Sequence, residues 1–87
     1  MKQKVLENID EFIRLCNTVF NIEAANFAKE NFSKLVNNFW DDSKSDDENL
    51  NVVKTMFETN KNANALVGNT WTAKVIGAFQ EGWLNKL

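Results

Sequence analysis

The chain has no proline, no histidine and no tyrosine, one cysteine, and three glycines in 87 residues. Each shortage excludes something. Without proline, and with no glycine before Gly68, nothing ahead of that point obliges a helix to stop. Without histidine the commonest general base is missing, and with a single cysteine a zinc site has too few ligands. Cys16 has no disulfide partner in the chain; on an apolar stripe it reads as a small buried hydrophobe, and it suits a reducing compartment. A chain this short, with no covalent staple, has a marginal core unless it associates. The stretch Met1-Lys2-Gln3-Lys4-Val5-Leu6-Glu7-Asn8 lacks the continuous apolar core of a signal peptide. No apolar run approaches the roughly 20 residues of a transmembrane segment. A soluble, cytoplasmic protein is expected.

The same shortages argue against an enzyme. Three serines and Cys16 have no evident activating partner, and Gly68, Gly77 and Gly82 fall in a helical pattern rather than a phosphate-binding loop. No catalytic residue, cofactor site or metal site is expected.

What is present is charge in one place and apolar periodicity nearly everywhere else. Ten basic and twelve acidic residues give a net charge of −2. Asp41, Asp42, Asp46, Asp47 and Glu48 gather in a connector over residues 41–49, with Lys44 alone against them. The rest of the chain is nearly neutral and offers no concentrated basic face for nucleic acid. The acids do not follow a calcium-loop pattern, because the glycine of the sharp turn is missing. Ser45-Asp46-Asp47-Glu48 reads instead as a capping box at the start of a helix, with acids suited to the positive end of its dipole.

In the first arm, about residues 2–40, Val5, Ile9, Phe12, Cys16 and Val19 form one helical seam, widened by Leu6, Ile13 and Phe20. A second stripe, Ala24, Phe27, Ala28, Phe32, Leu35 and Phe39, is rotated from the first. Either one helix carries a winding stripe or the helix breaks near Asn17 to Asn21, with Asn21 as an N-cap; continuity is the favoured expectation. In the second arm, about residues 46–85, Leu50, Val53, Phe57, Val67, Trp71, Val75, Ala78 and Phe79 fall within a wedge of about 120° on a single helix. The phase persists through Gly68, which favours a helix running through it over a C-cap there. The expected fold is all-α: one helical domain, an antiparallel hairpin of two long helices with possible breaks near Asn21 and Gly68. Leu6, Ile13, Val36, Trp40, Val52, Met56, Leu66, Ile76 and Trp83 lie off or at the edges of the seams. This surplus apolar surface points to association into a helical bundle, and so to a homo-oligomer, or to contact with an apolar partner.

Two groups of residues are candidates for function. Phe27, Phe32, Phe39, Trp40, Phe57, Trp71, Phe79 and Trp83 either pack a core or form a face that binds a hydrophobic surface or partner. Asn60 and Asn64 fall on the apolar wedge, where polar residues cost stability but can fix packing register. The remaining asparagines, in a total of fourteen, support no functional assignment by abundance alone.

The runs Phe57-Glu58-Thr59-Asn60-Lys61-Asn62-Ala63-Asn64-Ala65-Leu66-Val67 and Thr72-Ala73-Lys74-Val75-Ile76-Gly77-Ala78-Phe79-Gln80-Glu81 resemble the phasins, small helical proteins that coat polyhydroxyalkanoate granules. Phe27-Ala28-Lys29-Glu30-Asn31, leading through Leu35 to the Ser/Asp-rich connector, is similar to their middle region. The likeness spans about residues 24–83; the chain is short for that family and richer in tryptophan. The resemblance implies a non-catalytic, self-associating amphipathic layer on a hydrophobic polymer or lipid-like surface. The competing expectation is a protein-interaction module, either a dimeric bundle adaptor or a small inhibitor of a protein target.

Overall fold

The computed structural model describes residues 1–16 and 21–87. Among these the chain forms helices α1 (Lys2–Leu15), α2 (Ile22–Phe39), α3 (Asp46–Leu66) and α4 (Thr70–Gly82), then a 3₁₀ turn, Leu84–Lys86. The all-α expectation holds, but the two long arms do not: four helices stand where two were expected. Val19 and Phe20, assigned to the first seam, and Asn17, at the edge of the anticipated kink, lie outside the described residues.

Three of these helix boundaries have a clear local cause. Asn21 adopts an extended conformation and its Oδ1 accepts from the Ala24 amide at 2.8 Å, an N-cap for α2. The Ser45 hydroxyl likewise accepts from the Glu48 amide at 3.2 Å and starts α3. The side chain of Glu48 stays in solvent, so only half of the expected capping box forms. At the far end of α3, Gly68 takes φ +88°. Its amide donates to the Ala65 carbonyl at 3.2 Å, and the Asn69 amide donates to the Asn64 carbonyl at 2.8 Å. This pair of bonds is the Schellman motif, which ends a helix and needs a left-handed residue that glycine supplies without strain. The phase carried across Gly68 was therefore no sign of continuity.

The breaks are offset by what they bring together. Phe12, Phe32, Phe57 and Phe79, one from each helix, meet with ring centroids 5.2 to 6.3 Å apart. Full burial of each side chain contributes roughly 1.5–3 kcal/mol, and tilted or edge-on ring contacts add to it. Around this cluster pack Val5 and Ile9 of α1, Ala25, Ala28 and Val36 of α2, Leu50 and Val53 of α3, Val75 and Ile76 of α4, and Leu84. A continuous second arm would have kept Phe79 far from Phe57. Folding back at Gly68 places the rings 5.3 Å apart.

The seams shift accordingly. On α2 the buried residues are Ala25, Ala28, Phe32 and Val36, while Phe27 and Phe39 face solvent. Val67 and Trp71, in phase with the apolar wedge expected for the second arm, are exposed because the chain turns between them. The expected Asn60 and Asn64 positions also leave the core: Asn60 is exposed and Asn64 half-buried.

The connector is closed by a residue whose role its position did not announce. Asn49 is 1 % exposed. Its Oδ1 accepts from the Asp41 amide at 2.8 Å, and its Nδ2 donates to the carbonyls of Asp41 at 2.9 Å, Ser45 at 3.1 Å and Lys44 at 3.4 Å. One buried amide thus clasps the loop that joins α2 to α3.

Candidate binding groove

A groove of about 510 Å³ runs between α2 and the corner formed by α3 and α4. Its floor is core: Ala28 and Phe32 from α2, Val75 and Ile76 from α4. One wall is a face of α2 on which Phe27, Asn31, Lys34 and Asn38 follow at helical spacing, with Leu35 beside them. The opposite wall takes Asn60 and Asn64 from α3, Asn69 from the turn, and Trp71 and Thr72 from the first turn of α4. The Schellman turn at Gly68 therefore shapes the groove, because it swings Trp71 round to the side that faces α2.

Phe27 is 65 % exposed and Trp71 48 % exposed, so large aromatic surface stands at the groove while the floor is closed. Along the second wall the amides are linked. Asn69 Nδ2 donates to Asn64 Oδ1 at 3.3 Å, and Asn64 Nδ2 donates to Asn60 Oδ1 at 2.9 Å and to the Asn60 carbonyl at 2.8 Å. Among the described residues Lys34 is the one charged residue of the lining, and its ammonium sits 3.5 Å from Glu30 Oε1. Among the described residues the lining has no carboxylate and no thiol beside the Thr72 hydroxyl.

Of the aromatic candidates, the groove brings together Phe27, Phe32 and Trp71. Phe57 and Phe79 are wholly buried in the ring cluster. Trp40 and Trp83 pack half-buried against the core, and Phe39 is exposed at the end of α2. Asn60 and Asn64, singled out for packing register, lie on the groove wall. Asn31, Lys34, Asn38, Asn69 and Thr72 were not singled out. The signal for the α2 wall was the spacing of Phe27, Asn31, Lys34 and Asn38, a polar face beside the apolar stripe.

Elsewhere several charged groups have structural partners. Lys29 Nζ lies 3.3 Å from Asp10 Oδ1 and ties α2 to α1. Gln80 Nε2 donates to Glu58 Oε2 at 2.9 Å, and Lys61 Nζ lies 3.1 Å from the same oxygen. The bond from Gln80, then that from Lys61, holds the Glu58 carboxyl below its ordinary value. Arg14 does the same to Glu11 through a side-chain hydrogen bond. Burial pushes the Cys16 thiol up, which disfavours the reactive thiolate. Among the described residues no cluster of His, Cys, Asp and Glu is placed to hold a metal ion, and no helix is long and apolar enough to cross a membrane. Comparison with protein-family models, curated proteins and solved structures finds no match.

Proposed function

We propose that this chain is a non-enzymatic, cytoplasmic interaction module that takes a segment of a protein partner in the groove between α2 and the α3–α4 corner. The observation that carries the proposal is the pair Phe27 and Trp71, exposed at a closed-floored groove of about 510 Å³. That volume lies within the roughly 300–1,000 Å³ usual for ligand sites, and exposed aromatic residues over a rigid floor are the common anchors of recognition.

The test is selection of displayed random peptides on the immobilised protein, with the double variant Phe27→Ala, Trp71→Ala as counter-target. Enriched peptides should bind the native chain and lose about tenfold or more in affinity for the variant, a difference of about 1.4 kcal/mol. Phe27 is 65 % exposed and Trp71 about half covered, so circular dichroism and a thermal melt of the variant must match those of the native chain before the affinities are compared. Peptides that bind both proteins equally, or no enrichment at all, would remove the groove from consideration.

A second proposal is favoured by a different observation. Leu66 is 88 % exposed and Val67 72 % exposed at the α3–α4 corner, and Ile22 at the start of α2 is exposed as well. These residues suit adsorption to a hydrophobic polymer, as the phasin resemblance implies, or self-association into a larger bundle. Pelleting with polyhydroxybutyrate particles separates the two classes: a protein that stays in the supernatant with unshifted tryptophan emission is no granule coat. Light scattering on a sizing column reads the oligomeric state.

A further inference from the structure

Building on that groove reading, we infer that the occupant is an extended, uncharged peptide segment whose main chain is recognised by asparagine amides. The inference rests on how the amides of the two walls are used. On the α3–α4 side the Asn69–Asn64–Asn60 chain runs in one direction, each Nδ2 donating to the Oδ1 of the next. This ordering leaves the Asn60 amino group as an unspent donor at one end and the Asn69 Oδ1 as an unspent acceptor at the other. On the facing wall, Asn31 and Asn38 have no hydrogen-bond partner among the described residues and line the same groove. An asparagine side chain presents a coplanar donor and acceptor, the complement of a peptide unit's own C=O and N–H.

The alternatives match the walls less well. A helical segment has its main chain satisfied internally and would press apolar side chains over these amides, leaving them without partners. A cationic segment finds no carboxylate in the lining, and an anionic one finds only Lys34, already beside Glu30. A neutral oligosaccharide would pair with the amides, but its hydroxyls would also face the apolar floor of Phe32 and Ile76. An extended peptide alternates: successive side chains point to opposite faces, so one set can descend onto that floor while the main chain meets the walls. The dimensions agree. Asn31 and Asn38 are seven residues apart, about 10 Å along the α2 axis, which is about three residues of extended chain.

The experiment uses peptides selected on the native protein, synthesised with single N-methyl groups at successive main-chain amides and titrated calorimetrically. The expected result is a loss of about tenfold or more at one or two methylated positions. The double variant Asn31→Ala, Asn38→Ala should show a similar loss for the unmethylated peptide. Both residues are exposed on α2 and alanine favours helix, so this variant should keep the native melting temperature or exceed it. Four results overturn the inference: tolerance of N-methylation at every position, affinity unchanged in the asparagine variant, a gain of helical circular dichroism on binding, or occupation by cellotriose rather than by any peptide. Peptides lost with Phe27→Ala, Trp71→Ala yet indifferent to N-methylation would sink this inference and leave the interaction module standing. Peptides indifferent to both would sink the two together.

Discussion

The two joints of the second half are built on opposite plans. The loop between α2 and α3 is held by side chains: Asn49, buried at its base, makes four hydrogen bonds to the main chain of Asp41, Lys44 and Ser45. Asp41 Oδ1 adds bonds from the Ser43 hydroxyl at 2.7 Å and amide at 3.0 Å. The turn between α3 and α4 is held by the backbone, through Gly68 at φ +88° and two main-chain bonds. A clasp of side chains fails when one partner is removed, because buried groups lose their bonds. A backbone turn fails only when its dihedral is denied.

The contrast ranks the substitutions. Asn49→Ala should be the most damaging: it strips the Asp41 amide of its acceptor and three carbonyls of a donor, at a cost of roughly 2 kcal/mol, or on the order of 10 °C in Tm for a chain of this length. Gly68→Ala should cost less, about 1 kcal/mol. A Cβ there meets nothing within 4 Å, so the whole penalty is backbone strain. A synthetic chain with D-alanine at position 68, for which positive φ is natural, should lose no stability. Thermal melts of the three proteins check the order. Should Gly68→Ala prove the worse of the two, or D-alanine match L-alanine, the turn is not held in the way described.

The same contrast explains what the sequence disclosed. Ser45 followed by Glu48 is a local pattern, and the cap it announces is present. Asn21 was equally readable as a cap, but nothing local weighed it against an uninterrupted helix. Gly68 was misjudged because periodicity is blind to a reversal: Phe57 and Phe79, 22 residues apart, fall within about 40° on one continuous helix and also face each other when the chain folds back. The phase is the same in both cases; only the burial of Phe79 against Phe57 and Phe32 decides, and that is a tertiary quantity. Asn49 was hidden for a similar reason, since its partners are main-chain groups that leave no trace in residue spacing. The groove was less legible still. Its asparagines come from three different segments, and their common role exists only once α4 has swung back across α2.

The smallest expected effect divides the joints by pH. The Ser43 hydroxyl, then the Ser43 amide, holds the Asp41 carboxyl below its ordinary value of 3.8. A carboxyl with a lower value folded than unfolded favours the folded chain while ionised. Its contribution is complete above the ordinary aspartate value and is lost as the pH falls through the lowered one. The connector should therefore loosen in acid. The turn at Val67, Gly68 and Asn69 has no ionisable side chain, so its amide bonds should not respond to the same proton. Amide chemical shifts followed through an acid titration read both: Ser43 should move with the Asp41 carboxyl while Asn69 stays flat until the whole chain unfolds. Removing one bond sharpens the assignment. Ser43→Ala takes away the largest of the influences on Asp41, so the midpoint at residue 43 should rise toward the ordinary value with Asn69 unchanged. Glu58 also loses its charge in acid, which weakens the bond from Gln80 that ties α3 to α4. It lies nine residues before Val67, more than two helical turns away, so its effect should reach the middle of that helix pair before the turn. If the Asn69 amide instead titrates together with Ser43, and shifts with Ser43→Ala, the joints are one cooperative unit and the distinction between them is lost.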